Sequence, residues 1–416
     1  MRAAFTPLRH TGFRRLFAGY TVNELGNWLG DIALAVLVYD RTGSPLATAA
    51  LFVGTHFLPA LVGPALVARL EVLGSRIALP FLYAAEAAAF AALAWFAGGD
   101  FLLVAVVAIA AVDGALAAAG RALTRAAAAA VLKPAGQLRA GNAVINFGFT
   151  AAAAAGPAAG GLLVAGLGAR EALLLDAASF LLVAAMLSLP GSVPSVKAEP
   201  ASWISRLRDG LGYVARRPAL RGLLGAQAAA FVFFSAVIPV EVVLVKHTLG
   251  AGDAGYGALL ASWGAGMIAG GVVFAAARKV PLRLLLLVST VAIGAGYLGM
   301  SAAPTLLAAC GAAALGGLGN GVQWVSLVNA VQEVTAEPYQ ARVLGVLEGL
   351  AAAMPGVGFL VGGAVAAVLS PRASFLVAGL GVLAVVAVVA PLLRRTSFAE
   401  EPAHVPATEQ PAALAA

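Results

Sequence analysis

The chain has 416 residues, 61% of them hydrophobic and 11% charged, with a formal net charge of +7. Soluble domains carry roughly 25% charged residues; so much apolar surface cannot be hidden in water at this length, which excludes a soluble enzyme or binding module and leaves a protein that crosses a membrane many times. The excess positive charge does not point to nucleic acid, because the basic residues sit at the ends of apolar runs, where they set orientation in a bilayer.

In chain order, the basic segment Met1 to Arg15 leads straight into a full-length apolar run, so it reads as the approach to a first span and not as a removed signal peptide. A span needs about 20 apolar residues. Such runs centre near Leu29, Phe57, Ala88, Ala115, Ala152 and Phe180, then near Phe234, Met267, Val291, Gly319, Ala353 and Val382. Ala-rich stretches such as 126–130 and 151–155 let helices approach closely. Between the two sets lies 190–218, which opens with Pro190, Pro194 and Pro200 and continues as a short amphipathic stretch. Trp203, Ile204, Leu207, Leu211 and Val214 recur near helical spacing there, among Arg206, Arg208, Arg216 and Arg217. It fits either a basic helix on the headgroups or a solvated connector. After Arg395 the chain turns polar and rich in Pro and Ala, which predicts a disordered tail.

The expected organisation is therefore an all-α membrane protein of twelve transmembrane helices in two pseudo-symmetric six-helix bundles. Residues 1–189 form the first bundle, 190–218 a cytoplasmic linker, 219–395 the second bundle and 396–416 the tail. With both termini inside, all of the 26 Lys and Arg residues fall on the cytoplasmic side except Arg41, Arg170, Lys246 and Arg372. A weak internal repeat supports parallel halves: Arg139 precedes Gly160-Gly161 by nearly the same distance as Arg342 precedes Gly362-Gly363. The single cysteine, Cys310, excludes an intramolecular disulfide, and no Cys/His cluster or phosphate loop predicts a metal, a cofactor or an ATP site.

Ionisable side chains at membrane depth are expensive and by default face a cavity. Here they are Glu24 and Asp31, two turns apart on one face of the first span, then His56, Glu86, Asp113, Asp176, Glu241 and Glu348. Plainer roles stay open for several. Asp31 can be wet, Asp176 can favour a helix dipole, Glu348 can meet Arg342, and Glu241 can meet Lys246. Asn and Gln are informative too, because an unpaired amide in lipid is costly.

Taken in order, Phe13-Arg14-Arg15-Leu16-Phe17, Leu25-Gly26-Asn27-Trp28-Leu29, Tyr39-Asp40-Arg41-Thr42-Gly43-Ser44-Pro45, Asp176-Ala177-Ala178-Ser179-Phe180 and Leu207-Arg208-Asp209-Gly210-Leu211-Gly212-Tyr213-Val214 resemble the major facilitator superfamily. Gly114, Arg125, Pro134 and Asn142 fit the same pattern. The closer likeness is to its bacterial exporter branch, which includes siderophore and macrolide efflux proteins. The resemblance covers nearly the whole chain and rests on order and spacing, not on one decisive motif. It implies that the first and fourth helices of each half line a central cavity. Glu24, Asp31 and Asp113 are then the candidate proton-coupling acids, with Glu86 on a more peripheral helix. A carboxylate withdrawn from water favours its neutral form, which suits it to exchange protons near neutral pH. Asn23, Asn27, Trp28, Asn146, Phe231, Asn320, Gln323 and Trp324 are the candidate substrate-cavity residues.

Two superfamily motifs have counterparts. The loop motif after the second helix is degenerate here, with Glu71, Gly74 and Arg76 at its acidic, glycine and basic positions and Val67 in place of its first glycine; it reads as a gating latch or as a plain loop. Gly156-Pro157-Ala158-Ala159-Gly160-Gly161 resembles the helix-five motif of proton-exchanging exporters, though small-residue packing alone also accounts for it. The resemblance implies a secondary transporter and not an enzyme: a proton-coupled antiporter that exports an amphipathic small molecule such as a drug or siderophore, acting as a monomer in the bacterial inner membrane. The alternatives are an importer or facilitator of a polar solute, or a non-transporting sensor. Expected partners are the substrate, protons and the bilayer, with no nucleic acid.

Overall fold

A computed structural model describes residues 2–189, 203–277, 279–336 and 339–395. They are helical almost throughout, with no strand among the described residues, as a bilayer demands of a chain that must satisfy its own backbone polar groups. After a 3-10 turn at Arg2–Arg9, the first half comprises α1 (Thr11–Thr42), α2, α3 (Ser75–Gly98), α4 (Leu103–Leu132), α5 (Leu138–Leu167) and α6 (Ala169–Ser188). The second comprises α7, α8 (Asp253–Ala276), α9 (Leu282–Ala302), α10 (Leu306–Glu333), α11 (Gln340–Val368) and α12 (Pro371–Arg395). Two of these are composite. In α2, Pro45–Phe52 and Leu58–Leu73 flank a π-helical turn at Val53–Phe57, and α7 runs through Pro218–Ala236 and Ile238–Val243 into a π-helical turn at Leu244–Thr248. A bridge helix, Trp203–Ala215, lies between the halves in sequence.

Among the described residues, eleven helices are long and apolar enough to cross a membrane. The remaining one, α1, is long enough at 32 residues but carries Asn23, Glu24, Asn27 and Asp31 in its middle, so the expected twelve are present. Short connections are closed by residues suited to them. Gly43, with φ 61°, ends α1, and the Ser44 hydroxyl accepts from Ala47 N at 3.3 Å to start α2. Gly74 joins α2 to α3 with φ 79° and ψ 143°. A side chain there would be strained by about 1–3 kcal/mol, which accounts for the glycine of the degenerate loop motif. Arg76 is exposed beside it, while the side chain of Glu71 lies outside the described residues.

The helices form two bundles with one packing scheme. In the first, α1 packs on α5 and α6, α3 on α4 and α6, and α2 on α4. In the second, α7 packs on α11 and α12, α9 on α10 and α12, and α8 on α10. Each pair is the other shifted by six helices. The halves meet through α5 with α8 and through α2 with α11, and these two contacts are also exchanged by that shift.

The repeat reaches individual glycines. A methyl on Gly160 of α5 would press on Leu29 Cα of α1 at 3.2 Å, and one on Gly161 would come 2.8 Å from Gly257 N of α8. On α11, a methyl on Gly362 would collide with the Ala236 carbonyl of α7, and one on Gly363 would come 3.3 Å from the Pro45 carbonyl of α2. In each pair one glycine seats its helix in its own half and the other touches the opposite half. The glycine pairs after Arg139 and Arg342 are thus equivalent positions of one fold.

The bridge helix is docked on the second half and does not lie free. Tyr213 stacks on Tyr339 with centroids 4.2 Å apart, and its hydroxyl accepts from Ala336 N at 3.2 Å. The guanidinium groups of Arg217 and Arg342 cap the two rings at 5.1 Å and 5.3 Å. The predicted tail, 396–416, and the proline-rich opening of the linker lie outside the described residues.

Candidate functional site

A polar layer crosses the first half at membrane depth, and α1 supplies its spine. Asn27 Nδ2 donates to Asn23 Oδ1 at 3.2 Å, and Asn23 Nδ2 donates to Glu86 Oε2 of α3 at 2.8 Å. Glu24, 3% exposed, lies 3.8 Å from the Arg121 guanidinium of α4. Two turns on, Asp31 lies 3.5 Å from His56 Nε2 of α2. The common face read from the sequence therefore exists, and it meets one base from α4 and one from α2.

Two further acids complete the layer. Asp113 of α4 is buried, and its Oδ1 has no hydrogen-bond partner among the described residues. Asp176 of α6 is buried too, held by the Ser179 hydroxyl at 3.3 Å; a methyl on Gly26 would collide with it. This places Asp176 well inside α6, in contact with α1, so the helix-dipole role does not describe it. Oxygens of Glu24, Glu86, Asp113 and Asp176 are buried without hydrogen-bond partners. Such oxygens are costly unless the group is protonated or finds a partner in another state.

Between the halves runs a cleft closed at the end away from the bridge. There Phe52 and His56 of α2 pack on Phe359 of α11, with centroids 5.7 Å and 6.0 Å apart, and Lys246 of α7 donates to Asp40 of α1 at 2.5 Å and to Asp253 of α8 at 2.6 Å. Lys246 thus binds two acids from other helices, and the local pairing with Glu241 is not made. Glu241 is buried with no ion pair among the described residues. Toward the bridge end, Asn142, Asn146 and Glu348 are exposed, and Gly345 and Gly349 of α11 face open space. Arg125 donates to Asn146 at 3.4 Å.

The candidate cavity residues divide between the halves. Asn23 is buried against Glu86, Asn27 and Trp28 are partly buried on α1, and Asn146 is exposed. A methyl on Gly156 would come 2.6 Å from Trp28 Cβ, so the helix-five motif seats α1 at this level. In the second half, Phe231 lies 6.4 Å from Trp324, and Asn320 points to Met267 Sδ at 3.9 Å. Gln323 is placed differently from the expectation. Its Nε2 donates to Gln227 Oε1 at 2.6 Å, and both residues line a space walled by α7, α9, α10 and α12. Pairing two amides inside the bundle satisfies most of their polar groups, which exposure to an apolar wall would not. No group of three His, Cys, Asp or Glu side chains able to hold a metal occurs among the described residues.

Two six-helix halves of spanning length, packed by one scheme and holding a layer of buried acids, have the architecture of a membrane transporter. The chain belongs to the major facilitator family described as transmembrane secretion effectors (MFS_3), which it matches over residues 2–414. It is 29% identical over 412 residues to the multidrug efflux pump Tap of Mycolicibacterium fortuitum, covering 93% of this chain and 97% of that one. Among solved structures it resembles the nucleoside transporter NupG, with a TM-score of 0.72 at 12% identity over 92% of this chain and all of the other. A bacterial homologue of the human lysosomal transporter Spinster, inward-facing and occupied, is similar with a TM-score of 0.70 at 15% identity over 96% of this chain and 100% of that one. The human organic anion transporter MFSD10 follows with a TM-score of 0.60 at 19% identity over 91% and 99% of the two chains.

Proposed function

We propose that this transporter is a proton-coupled exporter of an amphipathic small molecule, working as a monomer in a bacterial inner membrane. The observation that carries the reading is the layer of buried acids in the first half. It sits beside a cleft open at the bridge end, and several of its oxygens lack partners. A gradient must supply the energy in a chain with no ATP site, and Glu24, Asp31 and Asp113 are the acids that take the proton. Losing a charge by protonation weakens the hold of Glu24 on Arg121 and of Asp31 on His56, and so changes which arrangement of the halves is favoured. The similarity to a multidrug efflux pump supports export. The residues toward the cleft, Asn27, Trp28, Asn146, Phe231, Asn320 and Trp324, contact the substrate.

Cells lacking the gene are expected to accumulate more of at least one amphipathic dye or drug than cells carrying it, and a protonophore should erase the difference. Higher accumulation in cells that carry the gene marks import, and equal accumulation across a broad panel marks a protein that does not transport. The domain limits proposed are 1–189, 190–218 and 219–395, with a tail at 396–416 and both termini cytoplasmic. In intact cells a cysteine placed at Ser44 should react with a membrane-impermeant thiol reagent and one at Ser202 should not. The opposite labelling overturns the orientation.

A further inference from the structure

We propose that Glu86 sets, through Asn23 and Asn27, whether the cleft shows its substrate a hydrogen-bond acceptor or a hydrogen-bond donor. The roles given to Glu24, Asp31 and Asp113 leave Glu86 unused, although its side chain is wholly buried, at 0% exposure. Its Oε2 accepts from Asn23 Nδ2 at 2.8 Å, and Asn23 Oδ1 accepts from Asn27 Nδ2 at 3.2 Å. Both bonds run the same way, toward the acid, and the one amide of Asn23 joins them. Glu86 Oε1 is buried without a partner among the described residues. Even a methyl added to Gly120 of α4 would stand 3.9 Å from it. The other end of the chain looks to the cleft. Asn27 lies one turn before Asp31 on α1, and so on the same face. Asp31 faces His56 at 3.5 Å, and His56 packs on Phe359 of the opposite half. Asn27 is partly buried there, while Asn23, a turn earlier, is buried.

The direction of such a chain is set by its last member. An ionised carboxylate only accepts. The bonds then run as observed, and Asn27 Oδ1 is the free end, an acceptor. A neutral carboxyl carries one O–H. At Oε1 that proton has no acceptor and is buried unpaired, which is costly. At Oε2 it can donate to Asn23, provided Asn23 turns its oxygen to Glu86 and its amide group to Asn27, and Asn27 turns likewise. An amide exchanges its oxygen and nitrogen within nearly the same space, so both turns fit the present packing. One proton is added and the number of hydrogen bonds is unchanged, but Asn27 now offers Nδ2, a donor. The alternatives are exclusive in a buried layer, because a chain reversed only halfway leaves two like groups facing each other. The charged groups of the layer on the helices around Glu86 are Glu24 of α1, Arg121 and Asp113 of α4 and Asp176 of α6. The display to a substrate rests on the cleft site proposed above; the reversal of the chain does not.

The test uses the full-length protein in lipid, with infrared difference spectra taken across a titration from acid to alkaline pH. The band of a protonated buried carboxyl is expected to disappear as pH rises, to be absent in Glu86→Gln and to move in Glu86→Asp, which keeps an acid. With isotope-labelled asparagine, a side-chain amide band should shift at the same midpoint, and that shift should be lost in Glu86→Gln and in Asn23→Leu. A Glu86 band that titrates with no change in the asparagine amides overturns the proposal. So does an amide shift that survives in Glu86→Gln, or a Glu86 that does not titrate while the protein stays folded. The shared midpoint is read in the unsubstituted protein, so it decides the matter even if the substitutions misfold. Two cationic rhodamine esters then read the display, one with N–H groups on its amino nitrogens and one fully N-alkylated. The first should bind about two- to ten-fold more tightly at alkaline pH, the effect of one hydrogen bond, and lose that advantage at acid pH and in Glu86→Gln. No advantage at either extreme, with the infrared shifts present, overturns the display at Asn27. Whether uphill export survives in Asp113→Asn is a separate measurement, so failure of proton coupling stays distinguishable from failure of the chain.

Discussion

Asp113→Asn, Asp31→Asn and Glu24→Gln are each expected to abolish uphill export while leaving downhill exchange of the same substrate measurable. A proton moving inward releases about 2.3 kcal/mol per 100 mV of membrane potential, and about 1.4 kcal/mol corresponds to a factor of ten. Coupling one proton to one neutral molecule thus supports a gradient of more than ten-fold, which should collapse to near unity in each variant. The substitutions keep size and hydrogen-bonding capacity and remove only the exchange of charge. Asp113 is the cleanest of the three, because its buried Oδ1 has no partner to lose. Glu24 and Asp31 each face a base, at 3.8 Å and 3.5 Å, so their amides also free Arg121 and His56. Glu348→Gln, on the exposed face of α11, should still export against a gradient. Uphill export that survives in all three variants, and is indifferent to a protonophore, would end the case for proton coupling through these acids.

Gly161→Leu should block the transport cycle by a different route, through contact between backbones. Gly161 and Gly257 are where α5 and α8 touch across the halves, and neither leaves room for a side chain: a methyl on Gly257 would stand 2.7 Å from Gly161 Cα and 3.2 Å from the Pro157 carbonyl. Overpacking of this kind costs about 1–3 kcal/mol, which shifts a two-state equilibrium about 5- to 150-fold away from the arrangement closed at this end. The variant should be made in normal amounts and transport at a few per cent of the normal rate, while a cysteine at Ser44 becomes more reactive. Gly166→Leu is the matched control, because a side chain there meets nothing within 4 Å. Equal transport by the two variants would show that the close approach of α5 and α8 is not needed.

Much of this architecture could be read from the chain because membrane depth simplifies it. Spans announce themselves by length and hydropathy, and the paired glycines after Arg139 and Arg342 marked equivalent helices. Even so, α1 was legible only because its polar residues interrupt a long apolar run. The partnerships within the site were not legible. Asn23 finds Glu86 63 residues away, Gln227 finds Gln323 96 away and Lys246 finds Asp40 206 away. Such pairings depend on which helices become neighbours and on how each is rotated, and neither is written in spacing along one helix. For that reason the sequence suggested the near neighbour Lys246 for Glu241, whereas the packed bundle joins Lys246 to acids of two other helices. Gln323 was grouped with the cavity for a related reason. It sits one turn from Asn320 on α10, but the two side chains serve different sides of the bundle.

The docking of the bridge helix has a mechanical consequence. Tyr213 and Tyr339 fasten that helix to α11, so it moves with the second half as part of one body. Only 190–202 remains to join the halves on that side. A chain segment spans at most about 3.5 Å per residue, so those thirteen residues set a contour length of about 45 Å. That length caps how far the bridge-side ends of the two halves can part.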